Sequence, residues 1–441
     1  MRLRFHLWIC LAVVAVAGIY GSTARAQDWL EDRNRTEGPG IKAGDLEFHP
    51  GIGAEVGYDS NVFYADDETN GTGLLRISPH FFISTRTRGN QDGPPPTIRF
   101  RGGVSAAYYG YFATRYGDDV GESISTSAGL NLVVLPERPF NLTFTEEVTR
   151  TIRPFTEPAD TDPTFARWRN DVGIRLGFAS RGNVLRGGLG YVFGLDMFEA
   201  TLFEDNNSFT HTAKLDTNWN FLPKTTMIYE ADVAFQDYPN ADLSSATQLS
   251  DNVRLASRIG MNGILTPRIS LTALLGYGAG FYDLGEDYDD INGSLEGRFK
   301  ASQTLQFSLG YERGYSSSFI GNYVRRDRGY ATSDLMIGGT FLLAAKLHAG
   351  LSSYGVPRTG EGEVYATAPD PRDDVRVGGS LSGEYRFADW LAITGSFSYE
   401  ANLTDYEYDL QTVSIVTGQP IPPDPAGYNK LEAWFGLRVF Y

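Results

Sequence analysis

The chain has 441 residues, with 54 acidic and 38 basic side chains and a net charge of −16. This acidity excludes nucleic acid as a partner, because phosphate groups need a basic binding surface. The one cysteine, Cys10, lies in the apolar N-terminal stretch, so disulfide and thiolate chemistry are excluded for the rest of the chain.

The N-terminus has the layout of a secretory signal peptide. Arg2 and Arg4 precede an uncharged apolar run over residues 7–19, and Ala24-Arg25-Ala26 follows. The run is shorter than the roughly 20 residues of a membrane-spanning helix. We predict a signal peptide at 1–26, cleaved after Ala26, and a charged periplasmic N-terminal segment at 27–45 without periodicity.

Alternation of apolar and polar residues begins at Leu46 and recurs to the end of the chain. Ile52, Val56 and Tyr58 share one predicted face, and Glu47, His49 and Glu55 share the other. Successive side chains of a strand point to opposite faces, so each such segment predicts a strand with one apolar side. A soluble secreted all-β protein is the alternative to a membrane barrel.

The connections between these segments fall into two classes. The predicted short turns are 136–139, 181–183, 223–224, 266–267, 302–304, 343–345 and 388–390. The predicted long, acidic loops are 59–71, 114–122, 154–164, 199–207, 283–290, 355–373 and 401–427. Short periplasmic turns alternating with long extracellular loops are typical of outer-membrane barrels. A β-propeller repeats at a similar length, but it lacks this alternation.

We therefore predict an all-β fold: a transmembrane antiparallel up-and-down barrel over residues 46–441, with both termini periplasmic. Strands are expected to start near 46, 73, 97, 123, 140, 165, 184, 208, 225, 248, 268, 290, 305, 328, 346, 374, 391 and 429. That makes about eighteen strands, or sixteen if one hairpin is misread, and the segment 313–330 has the least distinct loop.

The last predicted strand carries apolar residues at every second position and ends on an aromatic residue. Such an ending is typical of the signal that barrel-assembly machinery recognises, here Phe435, Leu437, Val439 and Tyr441. An ordinary strand that happens to end the chain is the alternative.

The polar faces would line the lumen, because the apolar faces meet lipid. A barrel of sixteen to eighteen strands leaves a water-filled channel. The candidate lumen residues are Arg99, Arg101, Tyr109, Tyr111, Arg167, Arg169, Asp171, Arg175, Asp216, Glu230, Asp232, Glu296, Arg298, Lys300, Arg376, Glu384, Arg386, Trp434 and Arg438. For any one charge, a solvated wall residue paired with its neighbour is the simpler interpretation.

Catalysis and cofactor binding are not expected. Beyond the signal peptide the histidines are His49, His80, His211 and His348, and none forms a recognisable set with a nucleophile. His211 falls in the lipid-facing register. The acidic stretch 283–290 lacks the regular ligand order of a calcium loop and is interpreted as a solvated charge run, with no metal site.

The segment Gly57-Tyr58-Asp59-Ser60-Asn61-Val62, at the end of the first strand, resembles the outer-membrane β-barrel porin-2 type family. Members of that family are associated with exopolysaccharide gene clusters. The resemblance implies an outer-membrane passage for a polysaccharide that works with periplasmic export and copolymerase proteins. Within the motif, Asp59-Ser60-Asn61 are also turn-prone residues that would end a strand in any barrel.

The leading hypothesis is thus a conduit for polysaccharide export across the bacterial outer membrane. The alternatives are a diffusion porin or specific uptake channel for small solutes, and a surface structural or adhesion barrel. The expected partners are outer-membrane lipid and lipopolysaccharide, the barrel-assembly machinery and periplasmic export proteins.

Overall fold

A computed structural model describes residues 38–62, 64, 66, 69, 71–86, 96–112, 123–151, 166–241, 250–283, 285–318, 322–355, 372–408 and 424–441. The predicted signal peptide and most of the predicted segment 27–45 lie outside these residues. Within them, no helix is long and apolar enough to cross a membrane.

Eighteen long strands form one closed antiparallel barrel. They are β2 (Leu46–Asp59), β3 (Thr72–Thr85), β4 (Ile98–Tyr111), β5 (Ser123–Val134), β6 (Phe140–Thr151), β7 (Arg167–Ala179), β8 (Leu185–Phe198), β9 (Ser208–Leu222), β10 (Thr225–Asp237), β11 (Asn252–Thr266), β12 (Ile269–Tyr282), β13 (Tyr288–Lys300), β14 (Leu305–Ser317), β15 (Tyr323–Ile337), β16 (Phe341–Tyr354), β17 (Asp373–Ala388), β18 (Leu391–Leu403) and β21 (Tyr428–Phe440). Each pairs with the next, and β21 pairs with β2 to close the ring. The predicted barrel and its eighteen strands are confirmed, and the predicted starts lie within about five residues of the observed ones.

Three short strands complete the sheet pattern: β1 (Ile41–Ala43), β19 (Glu407–Tyr408) and β20 (Asp424–Pro425). Strand β1 pairs with the start of β2, where Ile41 faces Phe48, so residues 41–43 extend the barrel sheet. The backbone N–H of Tyr441 donates to the carbonyl of Pro50. The N-terminal part of the described chain and the last residue therefore meet at the same end of the barrel.

We call this end the turn end, and it carries the connections 86–97, 135–139, 180–184, 223–224, 267–268, 301–304, 338–340 and 389–390. The opposite end, the loop end, carries 60–71, 112–122, 152–166, 199–207, 238–251, 283–287, 318–322, 355–372 and 404–427. The predicted two classes of connection thus lie at opposite ends, although 86–97 at the turn end is long and 318–322 at the loop end is short.

One predicted turn is wrong. Residues 343–345 lie inside β16, and the chain reverses instead at 338–340. Gly338 and Gly339 have φ of +60° and +72° there, a left-handed conformation that glycine adopts without steric cost. The adjacent run Leu342-Leu343-Ala344-Ala345 places apolar residues on both faces, so alternation gave no signal for the start of this strand.

The two faces of the wall differ as the alternation predicts. On β2, Ile52 and Val56 are about half exposed, whereas Glu55 and Asp59 are buried on the other face. The exposed outer residues form an apolar band around the barrel, and it includes Leu189, Leu215, Leu275 and Phe435. Charged side chains lie mainly on the inner face. The charged side chains of the barrel wall are therefore concentrated in the lumen.

Candidate functional site

On the inner wall, long side chains lie flat against the sheet by crossing a glycine on the neighbouring strand. The guanidinium of Arg175 on β7 donates to both carboxylate oxygens of Asp216 on β9, at 2.9 and 2.6 Å. It passes over Gly188 of β8, where a Cβ would lie 2.4 Å from Arg175 Cζ. Only glycine leaves room for this contact between strands that are not neighbours.

The same arrangement occurs at a second place on the wall. The phenol of Tyr330 on β15 donates to Glu296 Oε2 on β13 at 2.9 Å. The ring lies over Gly310 of β14, and a Cβ there would be 2.2 Å from Tyr330 Cζ. Arg298 donates to the other oxygen of Glu296 at 3.0 Å, so the carboxylate is held by two partners.

Two further crossings occur elsewhere on the wall. Glu400 on β18 lies over Gly378 of β17 and reaches His348 on β16, with a Nε2 to Oε2 distance of 3.2 Å. The indole of Trp434 on β21 lies over Gly57 of β2 and carries the Arg76 guanidinium on its face, 4.2 Å from the ring centroid. We refer to these four as the glycine crossings. They keep bulky groups along the wall and out of the central passage.

Side-chain exposure divides the inner wall into a wet arc and a packed arc. In the wet arc, the side chains of Arg175 and Asp216 are 38% and 37% exposed, and those of Arg258 and Glu230 are 39% exposed each. In the packed arc, near the β2–β21 pairing, Glu55 and Arg438 are buried. Charged pairs exposed in the middle of the wall indicate a lumen that water fills on the β7–β13 side.

The structure brings many of the predicted lumen residues into contact. Arg167 and Arg169 approach Asp196, at 2.8 and 3.6 Å, and Glu230 pairs with Arg258 at 2.9 Å. The remaining contacts are Glu384 with Arg386 and Arg438, Tyr109 with Trp434, Arg376 with Asp374, and Arg99 with Glu137. Arg101, Tyr111, Asp171, Asp232 and Lys300 lie on the same inner face, at other positions around the wall.

Several partners of these residues were not among the predicted ones. Each of four such residues holds a predicted lumen residue or one of the crossings in place: Asp196, Arg258, Glu55 and Arg76. All four lie in the inward register of their strands, so strict application of the alternation pattern identifies them.

Hydroxyl groups dominate two other sectors of the inner wall. On β5 and β6, Ser127 faces Thr149 and Asn131 faces Thr145 across the pairing. On β17 and β18, Ser380 faces Ser398 and Ser382 faces Ser396. These sectors, which we call the hydroxyl stripes, present neutral donors and acceptors between the charged sectors.

At the loop end, β14 separates from β13 and folds over the inner wall, while β15 stays paired with β16 as far as Val324. We call this end of the β14–β15 hairpin the inward hairpin. The pairing of β14 with β13 stops at Arg313, which faces Gly293. Beyond that point the ring of Tyr315 stacks on Tyr288, with centroids 4.1 Å apart, and lies over Gly278 of β12. The phenol of Tyr315 donates to the carbonyl of Ala279.

The end of β14 reaches still further around the wall. Ser317 Oγ donates to Gln236 Oε1 on β10 at 2.8 Å. The nearby phenol of Tyr238 is buried, and this burial raises its pKa to about 12. Strands lie about 4.8 Å apart, so the end of β14 reaches on the order of 15 Å across the inner wall, from β13 to β10. The inward hairpin therefore narrows the loop end.

The family-motif residues lie where the barrel closes. Asp59 accepts the backbone N–H of Asn61 and pairs with Lys430 on β21 at 2.8 Å. Ser60 exchanges two hydrogen bonds with the backbone of Leu431. The ring of Tyr58 points outward, Gly57 lies under Trp434, and Val62 follows in the turn. In this structure the motif connects the end of β2 to β21 at the loop end.

The outward residues of the last strand keep the predicted register. Phe435, Leu437 and Val439 are about half exposed on the outer face of β21, and Tyr441 follows the end of that strand. His211 also lies on the outer face, where its Nδ1 is 2.7 Å from the hydroxyl oxygen of Tyr191. Recognition by assembly machinery stays a prediction.

The carboxylates of the predicted acidic stretch 283–290 bind groups of nearby strands, and residues 288–290 belong to β13 itself. Asp287 accepts the backbone N–H of Tyr282, Asp289 accepts the phenol of Tyr277, and Asp290 pairs with Arg313 and with Arg325. In the described part of the chain, no group of three or more His, Cys, Asp or Glu side chains could hold a metal ion.

No family sequence profile and no curated protein matches the chain. Solved structures do match. The chain is similar to the FrpB iron transporter from Neisseria meningitidis, with 12% identity and a TM-score of 0.50 over 90% of this chain and 67% of that chain. It is also similar to OpdK from Pseudomonas aeruginosa, solved with vanillate, with 10% identity and a TM-score of 0.45 over 89% of this chain and 99% of that chain.

The fold is that of an outer-membrane β-barrel. At such low identity the likeness concerns the fold alone. Function has to be argued from the lumen itself.

Proposed function

We propose that this barrel is a conduit through which a polysaccharide leaves the cell across the outer membrane. The resemblance at Gly57–Val62 motivates the proposal, and the inner wall supports it. The turn end would face the periplasm, and periplasmic export and copolymerase proteins would deliver the polymer there.

The glycine crossings are the observation that carries the proposal. They give charged wall groups a partner and hold them flat: Asp216 for Arg175, a phenol for Glu296, an imidazole for Glu400 and an indole face for Arg76. A polymer passing such a wall meets many exchangeable hydrogen bonds along its length. The hydroxyl stripes add neutral groups that match sugar hydroxyls in chemistry.

Deletion of the gene tests the proposal. Cells without the barrel should lose stainable surface polysaccharide and accumulate the polymer in the periplasm, and a plasmid carrying the wild-type gene should restore export. Another outer-membrane protein, measured in the same cells, controls for a general envelope defect. Unchanged surface polysaccharide in the deletion strain would sink the idea.

A diffusion porin for small solutes is the second candidate. The exposed pairs on the wet arc, such as Arg258 with Glu230, suit hydrated solutes as well as a polymer. Planar-bilayer recording separates the two. A porin should conduct steadily and show no blockade by oligosaccharides, whereas a polymer conduit should show resolvable blockades.

A further inference from the structure

Charge is distributed unequally between the two ends of the barrel. The described turn-end connections and β1 carry Lys42, Arg86, Arg138, Arg181, Lys224 and Arg268, against Asp45, Glu137 and Asp389. The described loop-end connections carry Asp66, Glu199, Glu204, Asp205, Asp251, Asp283, Glu286, Asp287 and Asp405, and Arg372 is the one base among their described residues. The barrel is therefore basic at the turn end and acidic at the loop end.

The basic character continues into the lumen. Arg99, Arg186 and Lys300 lie on the inner face within two residues of the turn-end rim, and all three are exposed. Their outward neighbours are the apolar residues Ile98, Leu185 and Phe299. Among the described residues, no ion pair involves Arg186 or Lys300. These two cations cannot reach lipid phosphates on the outside of the barrel, so their charge acts on what is in the lumen.

Lys300 also borders a recess of the inner wall. A cavity of about 900 Å³ at the turn end is lined by Lys300, Arg268, Gln306 and Asp334, together with Ala301 of the 301–304 turn. The recess lies at the turn-end mouth of the lumen, beside the 301–304 turn. Unpaired cations beside a cavity favour anionic groups over neutral ones.

From this polarity we infer that the transported polymer is anionic, such as a polyuronate, and that it enters at the turn end and leaves at the loop end. The inference rests on the proposed conduit function and adds its substrate class and direction. Cations in a water-filled mouth raise the local concentration of a polyanion and its rate of entry. The acidic rim then repels the emerging polymer and opposes its return over about one Debye length, roughly 8 Å at physiological salt.

The test uses the full mature barrel in a planar bilayer, with two oligomers of equal length: polygalacturonate and neutral dextran. Each oligomer is added to one side of the bilayer. Recordings are made at voltages of equal size and opposite sign, and the rate of current blockades is counted. The orientation of the barrel in the bilayer is determined at the end of each recording with the variant Ala301→Cys. An impermeant thiol reagent attacks only this introduced cysteine, because the sequence after residue 26 has no other.

We expect polygalacturonate to block on the order of fivefold more often from the turn end than from the loop end, and dextran to show no side preference. The pair Arg186→Glu with Lys300→Glu should abolish the preference. The matched pair Arg186→Lys with Lys300→Arg should keep it, since both retain the charge.

The remaining outcomes overturn the inference at different levels. Equal blockade by dextran and polygalacturonate, or entry of polygalacturonate mainly from the loop end, refutes the anionic class or the direction and leaves the conduit standing. Absence of blockade by either oligomer from either side refutes the conduit, and the inference falls with it.

Discussion

The phenol of Tyr330 and the carboxylate of Glu296 meet across an intervening strand, 2.9 Å apart. Gly310 makes this contact possible, because the ring occupies the space that a side chain there would fill. A residue without a side chain thus decides where a bulky aromatic ring lies in the lumen.

Replacing Gly310 by alanine should displace the Tyr330 ring from the wall into the passage. The new Cβ would lie 2.2 Å from Tyr330 Cζ, so the ring has to move and the hydrogen bond to Glu296 is lost. We expect the free energy of unfolding to fall by about 1 kcal/mol and the single-channel conductance to decrease. Urea unfolding in micelles and bilayer recording measure the two effects.

Gly314 provides the matched control for this change. It lies on the same strand with the same parity, just beyond the end of the β13 pairing, and nothing lies within 4 Å of a Cβ there. Gly314→Ala should leave the conductance unchanged. Equal conductance of the Gly310 and Gly314 variants would show that the crossing has no role in keeping the passage clear.

The seam between the first and last long strands depends on a buried ion pair. The side chains of Asp59 and Lys430 are 3% and 7% exposed. Asp59→Ala leaves the ammonium buried with a more distant carboxylate, Glu432 at 3.6 Å. We expect a loss of about 3 kcal/mol in unfolding free energy, because removing one partner leaves a buried charge without its nearest counterion.

The double variant Asp59→Ala with Lys430→Met tests whether the uncompensated charge of Lys430 causes the loss of stability. It removes both charges and keeps the volume of the lysine stem, so it should recover most of the lost stability. Urea unfolding of the wild type, the single variant and the double variant makes the comparison. If the double variant is less stable than the single one, the loss has another origin, such as packing.

Strand number and facing were predictable from the sequence because both follow from local alternation. Leu215 and Asp216, for example, point to opposite faces in any strand that contains them. Alternation failed at Leu342-Leu343-Ala344-Ala345, where both faces are apolar. There the true turn was marked instead by Gly338 and Gly339, a signal of backbone conformation rather than of polarity.

The pairing of the lumen residues was not predictable in the same way. Arg175 reaches Asp216 across Gly188 only because three strands lie in one order and register, which the sequence does not state locally. The inward hairpin is a stronger case. Tyr315 has the outward parity of its strand, yet its ring stacks on Tyr288 over the inner face, because β14 leaves the wall after Arg313.

Releasing this hairpin should widen the loop end. Tyr315→Phe with Ser317→Ala removes the hydrogen bonds to Ala279 and Gln236 that hold the tip against the wall. We expect a higher single-channel conductance with more frequent fluctuations, since each lost bond weakens the docking by about 1 kcal/mol.

Tyr311→Phe is the control for hairpin release. Tyr311 lies on the same strand, but its phenol donates to Asp327 near the outer face. Its removal should leave conductance at the wild-type level. A double variant at Tyr315 and Ser317 that also conducts like the wild type would show that the hairpin does not constrict the passage.

Acid should loosen the loop-end connection 199–207. Arg150 donates to both oxygens of Glu199 at 2.6 Å, and these hydrogen bonds lower the pKa of Glu199. A depressed carboxyl pKa stabilises the folded state above the unfolded value, about 4.3, and this stability is lost as pH falls through the lower folded value. The pair is partly exposed, so its contribution is under about 1 kcal/mol.

Hydrogen-exchange protection factors for residues 199–207 measure this dependence. They should be constant from neutral pH to about pH 5 and decline below about pH 4. Arg150→Gln should lower protection at neutral pH and flatten the acid decline, because the partner that depresses the pKa of Glu199 is gone. A decline of equal size in that variant would assign the acid effect to other carboxylates of the loop end.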